Sequence, residues 1–495
     1  MLNKYLLGID QSTQGTKALI FDQKGNVLGR SDILHEQIIN DLGWVEHNPV
    51  QIYENTLQVV KEVVIKTGID KNDIIGLGLT NQRETAVVWD KESGEPIYNA
   101  IVWQCARGAN ICNGLKDHEN EIHNRTGLNL SPYFTAAKIA WILQNVTDAK
   151  QKSEAGKLAY GNMDSWLVYH LTGKKSFKTD YSNASRTELF NIRELKWDKD
   201  ICNWFGINPT CLAEVCDSNA LYGETDFEGF LKNPIPIHGV MGDSHGALYG
   251  QRCHHKGMVK TTYGTGSSIM MNIGHEPVFS NKGIVTSLAW GIDGVVEYVM
   301  EGNVNYTGAV ISWLKDDLQI LKYAAEAERY AYEANPSDKS YLVPAFTGLS
   351  APYWESDTSA ILCGMTRITG KAEIIRASLD SIAYQIADII ALMREESGLR
   401  ITELRVDGGP TKNNYLMQFQ SDVLNIKVCV PKAEELSVIG AAYMAGIALG
   451  FYKKEDIFKD MEDKSFLPIM SDSERDKRYM GWSKAVNIVL SNTSK

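Results

Sequence analysis

Apolar residues fall along this chain in two patterns. Short continuous runs bounded by glycine and polar residues mark buried strands, and runs at three- and four-residue spacing mark helices. Residues 6–22, LLGIDQSTQGTKALIFD, hold two apolar runs around a polar turn: Leu6, Leu7 and Ile9, then Ala18, Leu19, Ile20 and Phe21. This predicts a buried β-hairpin. Gly25-Asn26 predicts another turn, followed by a strand over 27–33. Pro49 suits a first helical position, and Ile52, Leu57, Val60, Val63 and Val64 give a helical stripe. Residues 74–79, IIGLGL, predict a strand with Thr80-Asn81-Gln82-Arg83-Glu84-Thr85 at its C-terminal end, where α/β sheets place ligand-binding groups. Further strands are expected over 86–89, 99–105, 234–241 and 404–409. Helices are expected near 247–250, from Asn413-Asn414, and over 435–450, where GAAYMAGIALG reads as close-packed core. The segment beyond Phe451 is charged and polar and predicts nothing further. Strands alternating with helices place the chain in the α/β class.

The first hairpin turn carries unusual chemistry for a turn: Asp10, Ser12, Thr13, Thr16, Gly15 and Lys17. Hydroxyls, backbone N–H groups and a cation suit phosphate oxygens, and an isolated carboxylate suits a hydrated magnesium ion. Alone, it could equally be a decorated surface hairpin. Residues 257–274, GMVKTTYGTGSSIMMNIG, repeat the layout, with Tyr263-Gly264-Thr265-Gly266-Ser267-Ser268 at the turn. Two such hairpins, one opening each half, suggest a duplicated fold clamping one nucleotide, by analogy with actin-like and ribonuclease H-like ATPases.

The chain has 495 residues, enough for two or three domains. Its 44% apolar and 22% charged residues are those of a soluble globular protein, and a net charge of -11 argues against nucleic acid as partner. No apolar run is long enough to span a membrane, and residues 1–4 lead straight into a strand, so neither leader nor membrane span is expected. Eight scattered cysteines without a C-x-x-C pair fit a reduced, cytoplasmic protein without a cysteine metal site.

Two clusters remain open on the residues alone. Arg83-Glu84 reads as a surface ion pair and Trp103 as core. The alternative is a polyol site, in which hydroxyls meet carboxylate and guanidinium while an indole covers a C–H face. Asp243, between a strand and a helix, is either an N-cap or a cleft carboxylate able to take a hydroxyl proton in phosphoryl transfer. Ser244-His245 beside it invites a hydrolase triad, but neighbours on one turn rarely meet.

Longer stretches resemble a known family. TNQRETAVVWD (80–90), YNAIVWQCAR (98–107), DYSNASRTELFNI (180–192), VPAFTGLSAPYW (343–354) and LRVDGGPTKNNYLMQFQSDVL (404–424) resemble glycerol kinases, members of the FGGY family of carbohydrate kinases. YFTAAKIAWILQN (133–145) and AILCGMTRITGKAEIIRASLD (360–380) resemble that family's two signatures. The resemblance runs from the first strand to about Phe451. It implies two ribonuclease H-like (actin-like ATPase) domains with a nucleotide cleft between them. Residues 1–251 would carry the acceptor site and phosphate hairpin, and residues 252–495 would bind the nucleotide.

The resemblance implies an ATP- and Mg²⁺-dependent kinase acting on a primary hydroxyl of a small polyol or sugar. Asp243 would be the general base. Asp10, with Asp243, would face the metal. Thr13, Gln14, Lys17 and Thr265 would contact phosphates, and Gly308, Ser312, Gly409 and Asn413 would border the nucleoside. Arg83, Glu84, Trp103, Tyr133, Asp243, Ser244 and Ser268 would line the acceptor site. Oligomeric state, dimer or tetramer, is left open. An actin-like ATP-binding protein without an acceptor is the rival reading; it would share the hairpins and have no use for Arg83, Glu84 and Trp103.

The chain departs from glycerol kinases at several positions. Ser244 replaces a glutamine, Ser268 a phenylalanine, Lys17 an arginine, Gln14 a hydroxyl residue and Ser312 a glutamine. The loop that binds fructose bisphosphate in some glycerol kinases is replaced by residues 229–234, and the phosphorylatable histidine loop of others is not seen near 221–224, so neither control is expected. Two serines replacing larger side chains predict room for further substrate hydroxyls. The expected acceptor is therefore longer than glycerol, a C4–C5 polyol or a ketopentose such as xylulose, with glycerol itself as the alternative.

Overall fold

The computed structural model describes residues 4–355, 357–459, 461 and 463–491. Residues 1–3, on which the expected absence of a leader partly rests, lie outside them. Two large sheets organise the chain. The first contains β1 (Tyr5–Gln11), β2 (Gly15–Phe21), β3 (Val27–Leu34), β4 (Ile74–Asn81), β5 (Gly223–Thr225) and β6 (Ile235–Gly242), in the order β5-β6-β4-β1-β2-β3. The second contains β7 (Val259–Tyr263), β8 (Ser267–Gly274), β9 (Val285–Ile292), β10 (Val295–Val304), β11 (Glu403–Asp407), β12 (Lys427–Pro431) and β13 (Asp463–Phe466), in the order β9-β10-β8-β7-β11-β12-β13.

Both sheets share a five-strand plan. In the first, β1 pairs antiparallel with β2 and β2 with β3, while β1, β4 and β6 run parallel. In the second, β7 pairs antiparallel with β8 and β8 with β10, while β7, β11 and β12 run parallel. The repeat of connectivity is the duplication that the two hairpins implied, and the architecture is α/β throughout.

The helices that position the site are α1 (Pro49–Thr67), α2 (Thr135–Asn145), α3 (Asp243–Gly250), α4 (Gly308–Ser312), α5 (Lys371–Ser397), α6 (Asn414–Leu424), α7 (Leu436–Ala448) and α8 (Asp472–Ser491). Helix α1 starts as its sequence dictates: Pro49 needs no N–H partner, and Asn48 Oδ1 accepts from Val50 N at 2.9 Å. Strand β1 reads as a continuous apolar run because both faces are covered. Leu7 and Ile9 pack with Ile52, Val59, Val60 and Val63 of α1. On the opposite face, Leu6, Leu19 and Phe21 pack with Val438, Ile439 and Ala442 of α7. A helix from the end of the chain thus seals the first sheet.

That helix also fixes α3. A Cβ on Gly440 would lie 2.0 Å from Gly246 O, and one on Gly246 would lie 2.6 Å from Ser437 O. Only glycine lets these backbones touch. Since α3 continues directly from β6, the contact sets where Asp243 stands. Two expectations change. The strand expected over 99–105 shrinks to Ala100–Ile101. The polar tail instead forms α8, whose buried Trp482 stacks on Tyr384 of α5 with ring centroids 5.2 Å apart.

Candidate active site

The residues singled out on the first sheet converge at the C-terminal ends of β1, β4 and β6. Asp10, at the end of β1, is buried; its Oδ1 accepts from Thr80 Oγ1 at 2.8 Å and its Oδ2 lies 3.8 Å from Lys17 Nζ. Burial pushes this carboxyl up to about 6; Lys17 opposes the shift and the charge of Asp243 adds to it. Lys17 Nζ also donates to Glu435 Oε2 at 2.9 Å, and Arg30 shares that carboxylate at 2.5 Å. Glu435, at the start of α7, therefore ties the far end of the chain to the first hairpin. Nothing local in the sequence marks it.

Asp243 is the first residue of α3, with Gly242 as the cap. Its side chain is one-third exposed (33%), and Arg83 Nε lies 3.4 Å from its Oδ1. It therefore faces open space next to a cation, and the N-cap alternative falls. The triad alternative falls too. His245 is buried with neither ring nitrogen hydrogen-bonded to another described residue, and burial together with Arg83 holds its pKa well below the ordinary value. Ser244 contributes a backbone N–H to Asp243 Oδ1 at 2.6 Å.

Arg83 and Glu84 are not a surface pair. Arg83 forms a bidentate pair with Glu301 on β10, at 2.8 and 3.0 Å. Arg186 lies between the acids, with Nε 2.5 Å from Glu84 Oε1 and Nη1 3.0 Å from Glu301 Oε2. All four side chains are at most 6% exposed. Burial pushes the Glu301 carboxyl up, but Arg186 and Arg83 outweigh it and hold it well below the usual range. Glu84 takes a left-handed backbone, φ 57°, rare for a side chain of this size. Glu301 thus carries a carboxylate of the second sheet into the charge cluster around Arg83.

Residues 180–187 brace these strand ends from behind. Asn81 and Asn183 exchange amide hydrogen bonds at 2.8 and 3.0 Å, and Ser182 Oγ accepts from Gly242 N at 2.9 Å. Trp103 Nε1 donates to Thr13 Oγ1 at 2.9 Å, joining the first hairpin turn to the aromatic corner that Trp103 makes with Tyr133, whose ring centroid is 5.5 Å away at 60°. Gln14 is exposed at the turn.

The second sheet offers backbone more than side chains. Gly308 N donates to Gly264 O at 2.9 Å, and Thr307 N and Ala309 N each donate to Thr265 O at 3.0 Å, so α4 starts on the second hairpin turn. A Cβ on Gly308 would lie 2.5 Å from Gly264 O. Gly408, at φ 97°, passes so close to β7 that a Cβ would fall 2.0 Å from Tyr263 O, whereas Gly409 faces open space. Asn413 caps α6 through Leu416 N at 3.0 Å, and Ser312 is exposed at the end of α4. Ser268 Oγ donates to Glu301 Oε1 at 3.2 Å.

Among the described residues no group of three or more His, Cys, Asp or Glu is placed to hold a metal, and no helix is long and apolar enough to cross a membrane.

Such a duplicated sheet, with charged strand ends facing a glycine-rich backbone, is of the actin-like ATPase type. The chain belongs to the FGGY family of carbohydrate kinases: the family's N-terminal domain matches residues 5–250 and its C-terminal domain residues 259–449. It is a phosphotransferase that takes its phosphoryl group from ATP and acts on an alcohol group of a small molecule. Similar proteins include the glycerol kinase of Caldanaerobacter subterraneus subsp. tengcongensis, 47% identical over 98% of each chain. The glycerol kinase of Bacillus licheniformis is 46% identical over 98% of this chain and 99% of its own. The crystal structure of Plasmodium falciparum glycerol kinase with ADP superposes with a TM-score of 0.94 at 35% identity, covering 99% of this chain and 98% of that one.

These relatives overturn the expected acceptor. A C4–C5 polyol or a ketopentose such as xylulose was inferred from Ser244 and Ser268, yet relatives this similar along almost the whole chain are glycerol kinases. The structure supplies a physical reason. The Ser268 hydroxyl is already donated to Glu301, so it is not a free donor for an added substrate hydroxyl.

Proposed function

We propose that this protein is a glycerol kinase, transferring the γ-phosphate of ATP to a primary hydroxyl of glycerol. The observation that carries the reading is the 46–47% identity to glycerol kinases over almost the full length. The arrangement of Arg83, Trp103, Tyr133 and Asp243 supports it. In this reading residues 1–251 supply the acceptor site and the first phosphate turn, and residues 252–495 supply the nucleotide side.

Asp243 accepts the proton of the attacking hydroxyl, and Arg83, clamped by Glu301, orients both the base and the substrate oxygens. Glu84, held by Arg186, accepts from a second hydroxyl. Trp103 and Tyr133 cover the carbon backbone. Thr13, Gln14, Lys17 and Thr265 meet the phosphates, and Gly308, Ser312, Gly409 and Asn413 border the nucleoside. Closing the two halves excludes water, the competing acceptor.

Mg²⁺ fits the residues present. Asp10 is a buried carboxylate with a single short side-chain hydrogen bond and a second carboxylate, Asp243, in its field. A kinase magnesium needs few protein ligands, because phosphates and water supply the rest. Asp10, together with Asp243, would hold the ion, which would neutralise phosphate charge.

The test compares kcat/KM for glycerol, erythritol, ribitol, xylitol, ribulose and xylulose by ADP release. Glycerol is expected to be the best acceptor. A higher value for any of the others would overturn the proposal.

A further inference from the structure

Lys138 is the fourth residue of α2 and is fully buried. Two costs attach to that position. A cation in the first turns of a helix opposes the positive end of the helix dipole, and a buried ammonium must satisfy all its protons. Lys138 meets both by folding back over the helix start. Its Nζ donates to Pro132 O at 2.9 Å, to Phe134 O at 2.9 Å and to Tyr133 O between them. Three successive carbonyls thus converge on one cation, and they belong to the turn that presents Tyr133 to Trp103.

The same turn is held from its other side. Ser131 N donates to Glu188 Oε1 at 2.9 Å, Tyr133 N to Ser131 Oγ at 3.2 Å, and Ala136 N to Thr187 O at 2.9 Å. Burial pushes the Lys138 ammonium down from the ordinary lysine range, while Glu84 and Glu188 act in its favour. The Tyr133 ring packs against the rings of Trp103 and Phe134, with centroids 5.5 and 5.2 Å away, and its backbone carries it to that position.

We infer that Lys138 is a positioning residue for the acceptor site: its ammonium staples the backbone of residues 132–134 and so sets the Tyr133 ring against Trp103. The inference rests on the reading of Tyr133 as an acceptor-site wall. It assigns Lys138 an effect on polyol binding and none on the nucleotide, because the three carbonyls lie on the acceptor side only.

The test uses the full chain with Lys138→Met, which keeps the alkyl stem and removes the donors. KM for glycerol should rise roughly tenfold, the effect of losing charge-assisted hydrogen bonds at a binding wall. KM for ATP and kcat should each stay within about threefold of wild type, since uniform binding alone is lost. In a Tyr133→Ala background the same substitution should change KM for glycerol by less than about twofold, because its effect passes through that ring. Without any substrate, the amides of residues 133–136 should exchange hydrogen faster in Lys138→Met than in wild type. If the methionine variant does not fold, Lys138→Gln, which retains two donors, is read by the same measurements with a smaller shift in the same direction. An unchanged KM for glycerol, an equal rise in KM for both substrates, or unchanged amide exchange would overturn the inference. Failure of the acceptor reading looks different: wild type would not turn over glycerol, while amide exchange at 133–136 would still respond to the substitution.

Discussion

The two halves that face each other across the site solve the same geometric problem with different materials. The first hairpin turn is held by side chains: Trp103 donates to Thr13, and Lys17 bridges Asp10 and Glu435. The second is held by backbone: residues 307–309 donate to the carbonyls of Gly264 and Thr265, and Gly408 runs flush against Tyr263. One fold plan thus carries a face built of charged side chains and a cradle built of backbone. Side chains can be tuned one at a time, whereas a backbone cradle changes only if the chain path changes. Glu301 is an exception. It rises from the second sheet into the charges of the first and pairs with Arg83 and Arg186.

The largest expected effect tests whether chemistry belongs to the charged face. Asp243→Asn keeps the shape of the helix start and removes the base. Turnover should fall by roughly two to four orders of magnitude while ATP affinity is retained. Near-normal turnover would remove Asp243 from the mechanism and leave the charged face with binding duties only.

Glu301→Gln tests the exception. It leaves Arg83 and Arg186 buried without their shared carboxylate, and losing one partner of a buried ion pair costs about 3–5 kcal/mol. Urea unfolding should show a loss of that order, and kcat/KM for glycerol should drop with it because Arg83 loses its clamp. Unaltered stability would mean that the two faces are not coupled through this residue.

Asp10→Ala separates metal from acceptor. The magnesium concentration giving half-maximal rate should rise roughly 10- to 100-fold, the usual effect of losing a metal-orienting group, with KM for glycerol within about twofold. Lost glycerol affinity at unchanged magnesium dependence would put Asp10 on the acceptor side.

Much of the side-chain face was legible in the sequence, because its residues sit at strand ends, where an apolar run gives way to Asp10, to Arg83-Glu84 or to Asp243. The hairpins were legible for the same reason, and α1 through Asn48-Pro49. Glu301 and Glu435 were not. Each acts on a partner far away, Arg83 at 218 positions and Lys17 at 418, and neither lies in a locally unusual setting. Arg186 lies inside a stretch that resembled glycerol kinases, with no feature of its own to mark a role. Helix α8 was hidden by composition: its buried face is little more than Trp482, Ala485, Val486 and Val489 among charged residues, so no apolar stripe stood out. The acceptor was misread because a serine in place of phenylalanine was counted as a free hydroxyl, and only the fold shows where that hydroxyl points.

The smallest effect sharpens that last point. Ser268 is a third partner for a carboxylate that already accepts two hydrogen bonds from Arg83 and lies 3.0 Å from Arg186, so its hydrogen bond supports Glu301 rather than the substrate. Ser268→Ala should therefore cost about 0.5–1.5 kcal/mol, a roughly two- to tenfold drop in kcat/KM for glycerol. If the hydroxyl acts through Glu301, two further results follow. The ratio of kcat/KM for glycerol to that for ribitol should stay within about twofold of wild type, because no group that reads acceptor length has been removed. The Ser268→Ala, Glu301→Gln double variant should also be little worse than Glu301→Gln alone, since residues sharing one network are not additive. A changed ratio with fully additive losses would instead show Ser268 touching the acceptor independently of Glu301, and the hydroxyl would return to the list of specificity determinants.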